Sequence, residues 1–152
     1  MFTKKEQETI KKEVGEFLNK MGFEVEIEVT LQNETLEVNL KSPEPQVLIG
    51  EGGSILLCLQ KLLKTILSRK LEKIFYLDLD INDYKKKKAQ YLKEMARKIA
   101  DEVVLEKQEK ILPSMSPYER RIVHLELADR KNITTQSVGR EPERRIIIKP
   151  YP

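Results

Sequence analysis

The chain has no tryptophan, one cysteine (Cys58) and one histidine (His124) among its 152 residues. A single cysteine excludes an internal disulfide and any cysteine-rich zinc site. The lone histidine has no serine or cysteine nucleophile motif near it, and no paired carboxylates complete a metal-ligand cluster. Walker and dinucleotide glycine motifs are missing as well. We therefore expect no metal, no cofactor and no enzymatic activity. Apolar runs stay short of the roughly 18 residues that suggest a membrane span. Met1-Phe2-Thr3-Lys4-Lys5 leads into charged helical sequence and not into the apolar region of a signal peptide. The expected compartment is the cytoplasm.

What is present is a chain 39% hydrophobic and 35% charged, with room for one medium domain or two small ones. Apolar residues recur with clear periods along nearly the whole length, which excludes a disordered chain. The net charge of +3 hides an asymmetry: residues 1–82 hold 11 Lys/Arg against 14 Asp/Glu, and residues 83–152 hold 17 against 11. A phosphate-bearing partner would be drawn mainly to the C-terminal half.

Ile10, Val14, Phe17, Leu18 and Met21 share one helical face, with Gly22 at the cap. Alternation then takes over from Phe23 to Leu31, a turn falls at Gln32-Asn33, and Leu36, Val38 and Leu40 resume the period of two, predicting a hairpin. Pro43 and Pro45 end that strand. A glycine turn, Gly50-Glu51-Gly52-Gly53, precedes a strongly apolar helix from about Ser54 to Arg69. Within it Leu56, Leu59, Leu63, Ile66 and Leu67 are expected to be deeply buried, and Cys58 reads as a small buried apolar residue. A third strand places Phe75, Leu77, Leu79 and Ile81 inward.

A long helix follows from Asp83 to about Lys110, on the order of 40 Å, with Tyr84, Tyr91, Leu92, Met95, Ile99 and Val103 as its apolar stripe. The Lys85–Lys88 run reads as its solvated first turn, with an electrostatic role towards a polyanion as the alternative. Asp78, Asp80, Asn82 and Asp83 fail the EF-hand pattern, which needs glycine sixth and glutamate twelfth; a strand face and a helix cap explain them. Ile111-Leu112 forms a short strand. Ser116-Pro117-Tyr118-Glu119 is a capping box with proline in the first turn, opening a helix to about Asp129. Thr134–Val138 and Arg144–Ile148 read as strands around Gly139-Arg140-Glu141-Pro142. The expected class is α+β, in two units spanning residues 1–82 and 83–152.

Glycines before a helix let backbone N–H groups approach a phosphate, although a lone G-x-x-G is a weak signal. In its setting, after a two-stranded unit and before a leucine-rich helix and a returning strand, the turn resembles that of a KH domain in its type II arrangement. In that family the loop clamps single-stranded nucleic acid, which makes Gly50, Glu51, Gly52 and Gly53 contact candidates. The middle residues are commonly basic or polar, whereas here they are Glu51 and Gly52. A carboxylate about 4 Å from a phosphate opposes binding by ~1 kcal/mol in water.

Arg120 and His124 lie four apart, so both project from one face of the capped helix. An arginine fork beside an imidazole suits a phosphate oxygen; a solvated arginine and a histidine capping a neighbour is the bland alternative. The run from Ser116 to Leu125, followed by Thr134 to Ile148, resembles an R-three-H domain, named for such a pair and known for binding single-stranded nucleic acid. A KH unit followed by an R-three-H unit resembles the bacterial Jag family, the SpoIIIJ-associated RNA-binding proteins also called KhpB or EloR. Many members carry a small N-terminal domain ahead of the KH unit; its absence, with Met1 at the start, leads us to expect a short member.

The resemblance implies single-stranded RNA binding in the cytoplasm, regulation of cell elongation and cell-wall synthesis, and association with a small single-KH protein. It also implies RNA contact by Arg120 and His124, with Arg144 or Arg145 as further candidates. Glu51 and the acidic N-terminal half motivate an alternative, a protein-interaction adaptor that pairs with another KH protein and has weak RNA affinity in its KH half. A nuclease using His124 has little in the sequence to support it.

Overall fold

The computed structural model describes residues 2–152 and divides the chain into two compact units, one ending at Lys85 and the other running from Lys86 to Pro152. Both mix helix and sheet, so the chain is α+β.

The first unit opens with α1 (Lys4–Lys20). The Thr3 hydroxyl accepts from the Glu6 N–H at 3.2 Å, and the Glu6 carboxylate accepts from the Thr3 N–H at 2.7 Å. This reciprocal box answers two donors that the first turn would otherwise leave open. β1 (Glu26–Gln32) and β2 (Thr35–Lys41) pair antiparallel. Their turn sits at Asn33-Glu34, both with positive φ, one residue later than the sequence suggests. Two left-handed residues match the twist of a two-residue hairpin.

β3 (Tyr76–Ile81) lies parallel to β2, giving the order β1-β2-β3. A parallel pair requires a crossover connection. Here it is α2 (Pro45–Ile49), the glycine turn, and α3 (Ser54–Leu71). The core joins Ile10, Val14 and Leu18 of α1 and Leu56, Leu59, Leu63 and Leu67 of α3 to Leu36, Val38, Leu40, Leu79 and Ile81 of the sheet.

Three expectations need correction in this unit. α2 is a helix that we did not anticipate: one turn long, with Pro45 in its first turn and Leu48 as its buried residue, it is too short to show a period. Ile66 is only half-buried. Cys58 is exposed, because 100° steps carry position 58 to the side of α3 away from Leu56, Leu59 and Leu63. Residues 45–71 are also long and apolar enough to cross a membrane by length and composition. Gly50–Gly53 interrupts that stretch, and the leucines of α3 pack on the sheet, as in the core helix of a globular unit.

α4 (Tyr84–Glu106) begins where the first unit ends. Its N-terminus is capped by Asp80, whose Oδ1 accepts from the Lys85 N–H at 3.1 Å, which accounts for one of the acidic residues before it. Lys85 itself is not merely solvated: its Nζ donates to Gln60 at 2.9 Å and also pairs with Asp78. Among the described residues no cluster of three or more His, Cys, Asp or Glu could hold a metal.

In the second unit α4 buries Leu92, Ala96, Ala100 and Val103. Tyr91 is exposed, so alanines take part of the stripe that the larger residues mark in the sequence. Lys107, with positive φ, follows the helix end. β4 (Lys110–Ile111), α5 (Pro117–Leu127), β5 (Ile133–Val138) and β6 (Arg145–Pro150) complete the unit. Its sheet is antiparallel, in the order β4-β6-β5. Ile146 and Ile148 of β6 meet Val123 and Leu127 of α5 in the core. By alternation Arg145, Ile147 and Lys149 occupy the other sheet face.

Candidate nucleic-acid interface

The glycine turn owes its shape to positive-φ backbone conformations that glycine adopts at the least cost. Gly50 (φ 73°, ψ 177°) ends α2, and its N–H donates to the Gln46 carbonyl at 3.0 Å. Gly52 and Gly53 also have positive φ. A Cβ on Gly50 would stand 2.6 Å from Cγ1 of Ile55, one on Gly53 would stand 3.1 Å from the Tyr84 ring, and one on Gly52 would meet nothing within 4 Å. The turn is thus close-packed at its two ends and open in the middle, with Glu51 exposed. Val47 before it and Ile55 after it are exposed apolar residues. The sequence reading singled out neither; for Ile55 the signal is a position outside the stripe set by Leu56, Leu59 and Leu63 on α3.

In the second unit the Ser116 hydroxyl accepts from the Glu119 N–H at 3.2 Å, and the Glu119 carboxylate accepts from the Ser116 N–H at 2.9 Å. This box fixes the start of α5 and so the direction of the next turn. Arg120 then points inward and is only 8% exposed. Its Nη1 donates to the Met115 carbonyl at 2.7 Å, and its Nη2 to Oε1 of Glu141 at 2.6 Å. The guanidinium ties the beginning of α5 to the loop between β5 and β6.

One turn on, Nδ1 of His124 lies 2.8 Å from the Thr135 hydroxyl, which fastens α5 to β5 and leaves Nε2 as the other ring nitrogen. Burial, and then the positive charge of Arg120, hold the imidazole below its ordinary pKa of 6.5. Because the folded state binds this proton less readily than the unfolded chain, His124 contributes stability above the unfolded pKa. That contribution is lost as pH falls through the lower folded value. The melting-temperature advantage of the wild type over His124→Gln should therefore shrink between about pH 7.5 and pH 5. An unchanged gap would contradict the burial of the ring.

Arg144 staples the same hairpin. Its Nε donates to the Ser137 hydroxyl at 3.0 Å and its Nη1 to the Gly139 carbonyl at 2.8 Å. Arg120 and Arg144 thus both bond to the loop at 139–141. Arg145 does not join them: opposite Val138, it lies on the sheet face away from the core, and its Nε reaches only the Glu143 carbonyl at 3.2 Å. Gly50–Gly53 form their own group in the first unit.

The R-three-H domain family matches residues 90–150, from within α4 through β6. An RNA-binding protein KhpB of Clostridium symbiosum is 32% identical over 150 residues, covering 95% of this chain and 68% of that protein. The chain belongs to the KhpB family. A KhpB of Streptococcus pneumoniae is 28% identical over 145 residues, and one of Lactiplantibacillus plantarum is 28% identical over 131. The chain spans 44% and 41% of the length of these two KhpB proteins. These relatives are named for RNA binding and not for a reaction.

Proposed function

We propose that the chain binds single-stranded RNA through its second unit, with the α5 face around His124 as the principal contact. The observation that carries this reading is the placement of Arg120 and His124 one turn apart on α5, both fastened to the β5–β6 hairpin, inside the matched R-three-H segment. The relatives named as RNA-binding proteins support it, as does the excess of Lys/Arg in residues 83–152. Since Arg120 is engaged within the unit, its main part is to hold the face in shape, while His124 and nearby cations meet phosphate.

The first unit reads as a type II KH domain, with a functional boundary near residues 82–83. The order helix–strand–strand–helix–helix–strand, the parallel β2–β3 pair and the glycine turn between α2 and α3 support that reading. Val47 and Ile55 then supply apolar ground for bases beside the turn. The family resemblance extends the reading to a cytoplasmic regulator of cell elongation and cell-wall synthesis that pairs with a small single-KH protein. Exposed Glu51 favours a second reading for this unit alone, in which it docks a KH partner and contributes little RNA affinity.

Titration of labelled single-stranded RNA tests the proposal. Wild type should bind with an affinity that falls as salt rises, and His124→Ala should bind more weakly with its fold intact. Wild-type affinity in the Arg120→Ala/His124→Ala variant would sink the α5 site. Glu51→Lys replaces a repelling charge with an attracting one and should tighten binding about fivefold or more if the glycine turn faces phosphate. An unchanged affinity would assign that turn to the adaptor reading.

A further inference from the structure

The outer side of α5 carries Tyr118, Arg121 and Leu125, neighbours at three- and four-residue spacing, beside Ile122, which is half-buried against the core. With Lys93 of α4 and Glu126 they line a surface groove of about 330 Å³. Tyr118 is 66% exposed and Leu125 is 64% exposed, so neither contributes much to the folded core. The Glu126 carboxylate is answered by Arg97 at 2.5 Å. Lys93 and Arg121 have no ion partner among the described residues, so the groove combines an open aromatic face with two unanswered positive charges.

We propose that this groove is a further RNA subsite, in which the Tyr118 ring stacks an unpaired base while Lys93 and Arg121 hold the adjoining phosphate. The inference rests on the RNA-binding reading of the second unit and adds residues to it. Base stacking on an exposed aromatic ring beside basic side chains is the usual means of gripping single strands. Charge complementarity points to a polyanion as the occupant. Arg121 lies three residues before His124, so a strand leaving His124 crosses Arg121 to reach Tyr118. The first unit holds a larger groove, of about 660 Å³, that also contains aromatic rings and lysines. There the Lys64 Nζ already sits over the Tyr76 ring at 5.6 Å, and Lys73 pairs with Glu6 at 2.6 Å, so its cations are engaged internally.

The test is fluorescence anisotropy of the whole chain with a labelled mixed-sequence single-stranded RNA of about 15 nucleotides, with melting curves to confirm folding of each variant. Tyr118→Ala should weaken binding about tenfold, and Tyr118→Phe, which keeps the ring, should stay within about twofold of wild type. Removing both cations in Lys93→Ala/Arg121→Ala should flatten the log–log salt dependence by about 1.4. If wild type binds and His124→Ala weakens it while Tyr118→Ala does not, the groove proposal falls and the α5 site stands. A Tyr118→Phe variant as weak as Tyr118→Ala would also overturn stacking. Failure of wild type to bind this RNA would remove both readings, and loss of a protein partner without loss of RNA affinity would make the groove a protein-docking surface instead.

Discussion

Replacing Arg120 by alanine should destabilise the second unit by about 2–4 kcal/mol, far more than an ordinary arginine on a helix. The substitution strips the Met115 carbonyl of its donor, frees Glu141, and leaves space where the buried stem was packed. An unanswered buried carbonyl alone costs about 1–3 kcal/mol. The Glu141 pair adds little, because the Glu141 side chain is 49% exposed and solvent screens the charge. Glu141→Ala should therefore cost less than about 1 kcal/mol. Arg120→Lys should fall between the two, since a single ammonium cannot reproduce the fork to both partners. Amide hydrogen exchange across α5 and the β5–β6 hairpin reads these losses within the unit. Equal losses for Arg120→Ala and Glu141→Ala would show that the ion pair, and not the buried carbonyl contact, holds the arginine.

The second large effect is expected at Gly50. Its φ of 73° and ψ of 177° lie in a region open essentially to glycine alone, and an added Cβ would press on Ile55 at 2.6 Å. Gly50→Ala should cost about 2–3 kcal/mol and displace the start of α3. Gly52→Ala, left-handed but with open space around it, should cost only about 1 kcal/mol. Denaturation midpoints of the two variants give the comparison. Equal costs would mean that the turn relaxes freely and that Ile55 does not wedge it.

Local signals carried much of this fold. The Ser116 cap, the stripe Ile10–Val14–Leu18, and the alternation of Leu77, Leu79 and Ile81 each depend on neighbours within a few residues, and each reads directly from spacing. α2 did not, because a single turn anchored by Leu48 has no period to detect. Cys58 and Tyr91 were misplaced for a related reason: an apolar residue inside an apolar helix looks buried until the phase of the helix is known. The candidate site was legible as a pair of residue types on one helix face. The inward turn of Arg120 was not, since its partner Glu141 lies 21 residues away on a loop whose position depends on the closure of the whole sheet. The Tyr118 groove needed structure for the same reason, because Lys93 comes from a different helix.

The most direct test of RNA binding by the second unit is to titrate single-stranded RNA into the isotope-labelled chain and follow backbone amide shifts. The account predicts saturable shifts along α5, including Tyr118, Arg121 and His124, that extend into the β5–β6 hairpin and diminish as salt is raised. Shifts confined to the glycine turn and its flanking helices, with α5 unmoved at saturation, would contradict it.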